Sequence, residues 1–179
     1  MWSDLFDYDG SNLIWKHRER ISFKTKSAWA NTNARFEGRL AGRKNCSGGS
    51  VVYIQVRVKG NIYLAHRIIW EMTFGKIPTG LFIDHIDGNG LNNKICNMRL
   101  ASKNQNTKNL PRSCANKSGQ VGVYFMKSCN KWAANIGVSG VQKYLGVFDC
   151  YEDACRKRKY EENKAGYDEN HGREKFYGI

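Results

Sequence analysis

The stretch that most constrains this chain is IDHIDGNGLNNKICNMRLASKNQN, residues 83–106, which changes character three times. It begins as an apolar strand that runs directly into Asp84 and His85. A loop rich in Asp, Gly and Asn follows, and NMRLAS then reads as a returning strand. Ser102 and Gln105 form a capping-box pattern, which predicts a helix beginning at the next residue. The predicted unit is therefore strand, loop, strand and helix.

The polar residues of this unit indicate a metal-dependent hydrolytic site. Asn106 lies about one turn inside the predicted helix, where its side chain can converge with that of Asp84. Carboxylate and amide oxygens suit one Mg²⁺ or Mn²⁺ ion, whose other ligands are waters and a substrate phosphate. A neutral imidazole beside such an ion can deprotonate water, which makes His85 the candidate general base. Adjacent residues of a regular strand point to opposite faces of the sheet. Asp84 and His85 can therefore serve one site only if the strand bends at His85.

Two other interpretations of the polar loop compete with this one. A turn rich in Asp, Gly and Asn is often only a turn, and a lone histidine is often structural. A calcium loop is the second competitor. Beginning it at Asp84 puts Ile86 at a ligand position, and beginning it at Asp87 puts Leu91 and Met98 where oxygens are required. The pattern disfavours calcium and leaves the structural turn and the metal-dependent phosphodiester site open.

The stretch from His66 to Asn106 resembles the HNH endonuclease family, in the branch common among phage and intron-encoded nucleases. A His-Arg before a helix, an Asp-His pair, an Asp-Gly-Asn loop and a closing Asn recur there in this order. The resemblance implies a ββα-metal core in which Asp84 and Asn106 bind the metal and His85 is the general base. It also implies that Asn97 hydrogen-bonds across the loop and holds its shape. Asn106 stands where histidine is common in the family.

Three further basic residues of this stretch have less specific patterns. Arg67 and Arg99 can each contact a phosphate, although a surface or structural role suits them equally well. We count Arg99 with His85 and Asn97 as a candidate catalytic residue. His66 opens a predicted helix, and we expect it to be a hydrogen-bonded structural residue.

A second module follows the polar segment TKNLPRSCANKSG. GVYFMKS, KWAANIGV and VQKYLGVF predict a three-stranded meander, and Asp149 precedes a helix that ends at Gly166. The module resembles the plant ethylene-response-factor type of DNA-binding domain over residues 119–172. In that family the sheet lies in the major groove. The matching face here would offer Tyr124, Lys127, Lys131, Trp132, Asn135 and Lys143, with Gln142 beside them.

This module lacks the arginines that carry much of the base contact in the plant proteins, so their recognition sequence cannot be transferred. Tyr144, Leu145 and Phe148 are expected to pack against the helix.

The sequence thus predicts an α+β chain with an HNH nuclease domain over 1–110, a linker over 111–118 and a sheet-plus-helix DNA-binding domain over 119–179. Residues 2–64 are expected to be mostly β, with a tight turn at KGN.

The net charge of the chain indicates which class of partner it binds. The chain has 29 Lys+Arg against 16 Asp+Glu, a net charge of +13, which favours polyanions and above all nucleic acid. We find neither a basic amphipathic helix nor a long apolar segment, and MWSDLFDYDG does not look like a signal peptide.

The six cysteines lack C-x-x-C pairs, and we interpret them as free thiols in a reducing cytoplasm. A zinc site from Cys129, Cys150 and Cys155 lacks the usual ligand spacing.

These observations predict a metal-dependent endonuclease of double-stranded DNA, site-selective and encoded by a phage or mobile element. One Mg²⁺ or Mn²⁺ ion per site is expected, with no small-molecule cofactor and no membrane partner. A phage-encoded protein of this kind would act in the host cytoplasm. The alternative is a DNA-binding regulator whose nuclease site is vestigial, and the intact Asp84, His85 and Asn106 favour the enzyme.

Overall fold

Short antiparallel strand pairs and one polar helix build the first sixty residues. Strand β1 (Phe6–Tyr8) pairs with β2 (Leu13–Trp15), and β3 (Arg43–Asn45), β4 (Tyr53–Val58) and β5 (Asn61–Leu64) form a sheet in the order β3-β4-β5. Helix α1 (Lys26–Phe36) lies between these pairs in sequence. The computed structural model describes residues 1–45 and 51–174, in two compact units, one over Met1–Lys103 and a second that begins at Asn104.

The β4–β5 hairpin matches its sequence pattern. Val56 is fully buried and shares its face with Ile54 and Val58, which pack against the same core, while the intervening residues point to the other face. Val58 pairs with Asn61 across a two-residue turn at Lys59 and Gly60. Both turn residues have positive φ, 48° and 86°, as a tight hairpin turn requires. The predicted turn at KGN is confirmed.

Helix α1 was not predicted, so the expectation that residues 2–64 are mostly β is wrong over this segment. The helix has the sequence KSAWANTNARF and buries only Asn33, so it lacks the apolar stripe that reveals most helices. Its start is set by Thr25, whose side chain accepts a hydrogen bond of 3.1 Å from the Ala28 backbone N–H. A local cap, rather than hydrophobic periodicity, marks this helix.

Helix α2 and one hairpin position the candidate site. Helix α2 (Ala65–Phe74) packs the fully or almost fully buried Ile68 and Ile69 into the core and ends before Gly75, whose φ is 85°. Strand β6 (Phe82–His85) then pairs antiparallel with β7 (Met98–Ala101). Helix α3 (Lys103–Thr107) begins directly after Ser102, where the capping-box pattern predicted.

The second unit contains a three-stranded antiparallel sheet followed by helix α4 (Tyr151–Lys164), as the sequence predicted. Strands β8 (Val123–Met126), β9 (Lys131–Val138) and β10 (Val141–Phe148) lie in the order β10-β9-β8, and α4 packs on one face. Neither α4 nor any other helix within residues 1–45 and 51–174 has the length and apolarity needed to span a bilayer. The last five residues of the predicted module, 175–179, lie outside the described residues.

The segment before this sheet is bound to the end of the same unit. The Arg112 backbone N–H donates to the Arg173 carbonyl at 2.8 Å, and the Gly172 N–H donates to the Leu110 carbonyl at 2.9 Å. The sequence placed the linker at 111–118, whereas the unit boundary of the structure falls between Lys103 and Asn104. A polar segment with a proline resembles a linker in sequence because such distant backbone hydrogen bonds leave no local pattern.

Cysteines play no cross-linking role among the described residues. Cys96, Cys114, Cys129, Cys150 and Cys155 are free, and Cys46 lies outside the described residues. Within residues 1–45 and 51–174, no group of three or more His, Cys, Asp or Glu side chains is placed to hold a metal. The Cys150 thiol instead lies 3.1 Å from Asp153 Oδ2, at the start of α4.

Candidate active site

The β6–β7 hairpin brings an acid and an arginine together. Asp84 lies directly opposite Arg99 in the register, and side chains of directly opposed residues leave the sheet on the same face. Arg99 Nε and Nη2 both lie 2.9 Å from Asp84 Oδ2. The carboxylate is almost buried, with 6 % of its side chain exposed, whereas that of Arg99 is 38 % exposed. A charge-assisted pair therefore fixes the orientation of Asp84.

Asp87 organises the loop between the two strands. Its Oδ1 accepts from the Asn89 backbone N–H at 2.8 Å and from Asn97 Nδ2 at 2.9 Å, and its Oδ2 accepts from Asn92 Nδ2 at 2.7 Å. Because both of its oxygens accept from loop amides, Asp87 holds the loop in shape. The sequence did not single out this structural role.

Asn97 closes the same loop from the β7 side. Its Oδ1 accepts from the Asp87 N–H at 3.1 Å, and its Nδ2 also donates to the Asn92 carbonyl at 2.9 Å. The predicted hydrogen bonding of Asn97 across the loop is confirmed. The loop geometry thus depends on side-chain amides, which explains why so many asparagines occur in this stretch.

His85 is the last residue of β6 and is held by Asn93. Its Nε2 lies 3.1 Å from Asn93 Oδ1, and Asn93 is 2 % exposed. With this oxygen as the acceptor, Nε2 carries the proton and Nδ1 carries the lone pair that a general base needs. Burial lowers the pKa of His85, although the Asn93 hydrogen bond and the charges of Asp87 and Asp84 oppose the shift. The imidazole is therefore neutral at neutral pH.

Sequence reasoning missed Asn93. The loop contains three asparagines close in sequence, Asn89, Asn92 and Asn93. The sequence does not distinguish the one that contacts His85 from the two that shape the loop. Only the buried position of Asn93 in the structure identifies it.

Three rings form a buried cluster at the base of the site. The His66 ring lies 5.1 Å from both the Tyr53 and the His85 rings, centroid to centroid, in edge-on geometry. Burial, the neighbouring His85 and Arg67 lower the pKa of His66 to about 3, and burial and the charge of Asp84 raise the pKa of Tyr53. His66 was expected to be a hydrogen-bonded structural residue, but its buried Nδ1 has no hydrogen-bond partner among the described residues. It contacts the site through its ring.

The charge of Asp84 acts on the same cluster. Asp84 raises the pKa of both His85 and Tyr53 electrostatically, although burial outweighs its effect at His85. Asp84 and His85 are consecutive strand residues, yet they share one electrostatic environment where the strand ends. An almost buried carboxylate next to a neutral imidazole fits a hard divalent ion that keeps waters and binds phosphate. Asn106, the second predicted ligand, belongs to the second unit and is partly exposed in α3.

The sheet of the second unit divides the predicted DNA-binding residues between its two faces. Tyr124 and Val147 flank Ala133, and Asn135 pairs with Tyr144, so these residues share the face away from α4. We call it the open face. Tyr124 is 42 % and Tyr144 56 % exposed. Lys131 shares this face and lies 2.8 Å from Asp149, and Lys127 lies in the exposed β8–β9 turn.

Two residues assigned to this face lie on the helix side instead. The Trp132 ring packs 4.8 Å from that of Tyr151 in α4, and Lys143 Nζ lies 3.2 Å from Glu161 Oε2. Tyr144, expected in the core, is exposed on the open face, whereas Leu145 and Phe148 pack against α4 as expected. A register shift between Tyr144 and Gly146 separates these neighbours, and the sequence pattern does not reveal it.

Comparisons with known proteins show what the sequence around the β6–β7 hairpin is similar to. A family model described as HNH endonuclease matches residues 63–108. The chain is 39 % identical over 87 residues to Protein 3.8 of Escherichia phage T7, which covers 49 % of the chain and 72 % of that protein. It is also 39 % identical over 92 residues to Uncharacterized HNH endonuclease L560 of Acanthamoeba polyphaga mimivirus, covering 51 % of the chain and 46 % of the relative. No solved structure matches the chain significantly.

Proposed function

The chain belongs to the HNH endonuclease family, and we propose that it hydrolyses phosphodiester bonds of duplex DNA with the help of one Mg²⁺ or Mn²⁺ ion. The observation that carries the proposal is the β6–β7 hairpin. It holds Asp84 by Arg99 and His85 by Asn93, so a carboxylate and a neutral base occupy fixed positions at the end of one strand. A fixed acid and base are what metal-assisted hydrolysis requires of the protein.

His85 is the general base in this proposal. Its Nδ1 takes the proton of the attacking water, while its Nε2–H keeps donating to Asn93 Oδ1, so the ring keeps one orientation. The low pKa that burial gives the ring keeps it unprotonated, and thus able to accept this proton, at neutral pH. After the attack, the charged imidazolium is stabilised by the nearby carboxylates of Asp84 and Asp87.

Asp84 is the proposed metal ligand of the hairpin, and Asn106 is the second protein ligand that the motif implies. When bound, the ion neutralises charge on the phosphate and the leaving oxygen. Arg99 keeps the Asp84 carboxylate in one orientation through its two N–H groups, so it acts as a positioning residue. Asn97 positions the loop in the same way through Asp87.

The test of this proposal is the cleavage of supercoiled plasmid by the full chain with Mg²⁺, beside the same reaction in EDTA. Nicked or linear DNA that forms with Mg²⁺ and not with EDTA supports metal-dependent hydrolysis. Equal cleavage in both reactions contradicts the metal requirement. DNA binding without cleavage under any divalent ion supports the regulator alternative.

We further propose that the second unit binds duplex DNA through its open face and selects the site of cleavage. The residues that support this are Tyr124, Lys127, Lys131 and Asn135, because lysines neutralise phosphates and an asparagine amide can read an adenine edge. Tyr144 joins them on the same face. In the full chain, Asn135→Ala and Lys127→Gln should weaken binding or relax selectivity, whereas the control Lys143→Gln, on the helix side, should not. Equal effects of all three contradict the proposed face.

A further inference from the structure

An arginine-lined cleft in the first unit has no part in the candidate active site. The cleft has a volume of about 770 Å³ and lies among β2, the end of α1, β3 and β4. Its cationic lining consists of Arg18, Arg35, Arg39, Arg43 and Arg57. All of these except Arg18, which is half-buried, are exposed. Among the described residues, no acidic side chain lines the cleft.

The fold brings these arginines together from three stretches of the sequence, with Arg18 in the first, Arg35, Arg39 and Arg43 in the second, and Arg57 in the third. Arg43 pairs with Gln55 across β3 and β4, and Arg57 follows on the same face of β4, so the two arginines are diagonal neighbours. Arg39 lies in a turn, and its own backbone carbonyl accepts a hydrogen bond of 2.9 Å from the Trp15 N–H. Gly42 permits the chain before β3 to lie close to β4, because a Cβ on Gly42 would lie 2.7 Å from the Gln55 carbonyl oxygen.

The charge in the cleft is not neutralised within the described residues. Arg35, Arg39, Arg43 and Arg57 have no ion-pair partner in residues 1–45 and 51–174. The nearby acids are paired elsewhere, Asp7 with Lys16 at 3.1 Å and Glu37 with His17 at 2.9 Å. Crowding like charges costs free energy in the isolated protein, and a bound polyanion would offset that cost.

The aromatic rings of the cleft indicate which part of a nucleic acid fits. The Arg18 guanidinium lies 4.3 Å from the centre of the Trp15 ring, and that of Arg35 lies 5.2 Å from the Phe36 ring. Because these rings already carry guanidinium groups, they are not open to stacking by bases. The cleft therefore presents N–H donors and positive charge, which suit phosphate oxygens and carry no base selectivity.

We propose that this arginine cleft binds the phosphodiester backbone of duplex DNA, as a contact separate from the metal site and from the open face. The proposal rests on the proposed function for the identity of the polyanion. Strand β4 connects the two sites, since Tyr53 contacts the His66 and His85 rings at one end and Arg57 lines the cleft at the other. Four residues of strand span about 13 Å, or about four base pairs along a duplex. The cleft would thus hold the DNA close to the scissile bond.

The test compares two triple variants of the full chain that remove the same amount of charge. One is Arg39→Gln/Arg43→Gln/Arg57→Gln, and the control is Lys24→Gln/Lys26→Gln/Lys76→Gln, whose lysines are exposed in the same unit but do not line the cleft. Binding to a 30-base-pair duplex of arbitrary sequence is measured in EDTA across a NaCl series. For each phosphate that is no longer neutralised by an arginine, the slope of log affinity against log salt should decrease by about 0.9.

We expect the slope of the arginine variant to decrease by about 2 to 3 units, equally on unrelated sequences, and that of the control by less than about half a unit. Equal decreases in both variants would show a long-range field effect only and would overturn the cleft. Saturable binding of inorganic phosphate or ATP that competes with DNA and disappears in the arginine variant would assign the cleft to a free anion instead.

Two features keep this test separate from that of the nuclease. Because it is run without metal, it reads the cleft even if the chain never cleaves plasmid, so the failure of one proposal is distinguishable from the failure of the other. If the triple variant melts well below the parent, Arg57→Gln alone replaces it, with Lys76→Gln as control. A single substitution should still remove about 0.9 unit of slope, and an unchanged slope contradicts the proposal.

Discussion

Arg99 and Asp84 face each other across the β6–β7 pair, with two guanidinium N–H groups 2.9 Å from one carboxylate oxygen. Arg99→Ala should reduce the cleavage rate by about 10- to 100-fold, because residues that orient a metal ligand typically contribute that much. Arg99→Lys, which keeps the charge and one donor, should recover part of the rate. DNA affinity in EDTA should change less than twofold. A steep fall of affinity in EDTA would show that Arg99 binds a phosphate instead.

Asn93→Ala removes the acceptor that fixes the protonated nitrogen of His85. Cleavage should fall by at least about tenfold, since a histidine in the wrong tautomer cannot serve as base at the required atom. The matched control is Asn92→Ala, whose side chain donates to Asp87 and does not contact His85. Equal reductions in the two variants would show that Asn93 only shapes the loop.

The low pKa of His66 predicts acid sensitivity of the first unit. Its pKa is about 3 in the folded chain and about 6.5 when exposed, so below pH 6.5 the unfolded chain binds a proton that the folded chain excludes. The free energy of unfolding should be fully maintained above pH 6.5 and fall as the pH drops toward 3, by at most about 1.4 kcal/mol per pH unit from this residue.

Hydrogen exchange of the α2 amides between pH 7 and pH 5, corrected for intrinsic rates, measures this effect. His66→Phe keeps a ring in the cluster and removes the proton site, so its protection should depend less on pH than that of the parent. Identical pH dependence in the two proteins would assign the acid sensitivity to other groups.

A buried ion pair lies in the second unit. Arg158 Nη2 lies 3.1 Å from Glu162 Oε1, with 3 % and 1 % of the two side chains exposed, and Arg158 Nε donates to the Val121 carbonyl at 2.9 Å. Arg158→Met should lower the free energy of unfolding by about 3–5 kcal/mol, because it removes the buried partner of Glu162 and leaves the half-exposed Lys159, 3.6 Å away, to face that carboxylate. Arg158→Met/Glu162→Leu should cost clearly less. Urea unfolding checks both variants, and a double variant no more stable than the single one would contradict the argument.

The sequence was most informative where chemistry and chain order coincide. The hairpin with Asp84 and His85, the cross-loop role of Asn97 and the start of α3 after Ser102 all follow from residues close in sequence. Asn93 and the ring contact between His66 and His85 did not, because they depend on which side chains become buried together. The residue types in a short stretch of sequence do not determine which side chains become buried together.

Faces of strands were harder to predict than the strands themselves. The meander and α4 follow from turn residues and apolar runs, whereas the side of Tyr144 depends on a register shift in β10. Trp132 lies on the helix side because its ring packs against Tyr151 of α4, a contact between residues distant in sequence. Helix α1 was missed because its polar sequence has no apolar stripe. The arginine cleft was not predicted from the sequence either, since its members come from three separate segments that only the fold brings together.

The most direct test of the central claim is single-turnover cleavage of duplex DNA by His85→Ala, measured beside its DNA affinity in EDTA. A general base acts in the transition state, so the rate should fall at least about 100-fold, within the range of general-base catalysis, and the affinity less than twofold. The control is His17→Ala, whose ring pairs with Glu37 at 2.9 Å in an exposed position away from the hairpin, and it should cleave at the parental rate. Cleavage by His85→Ala at the parental rate would contradict the assignment of the active site.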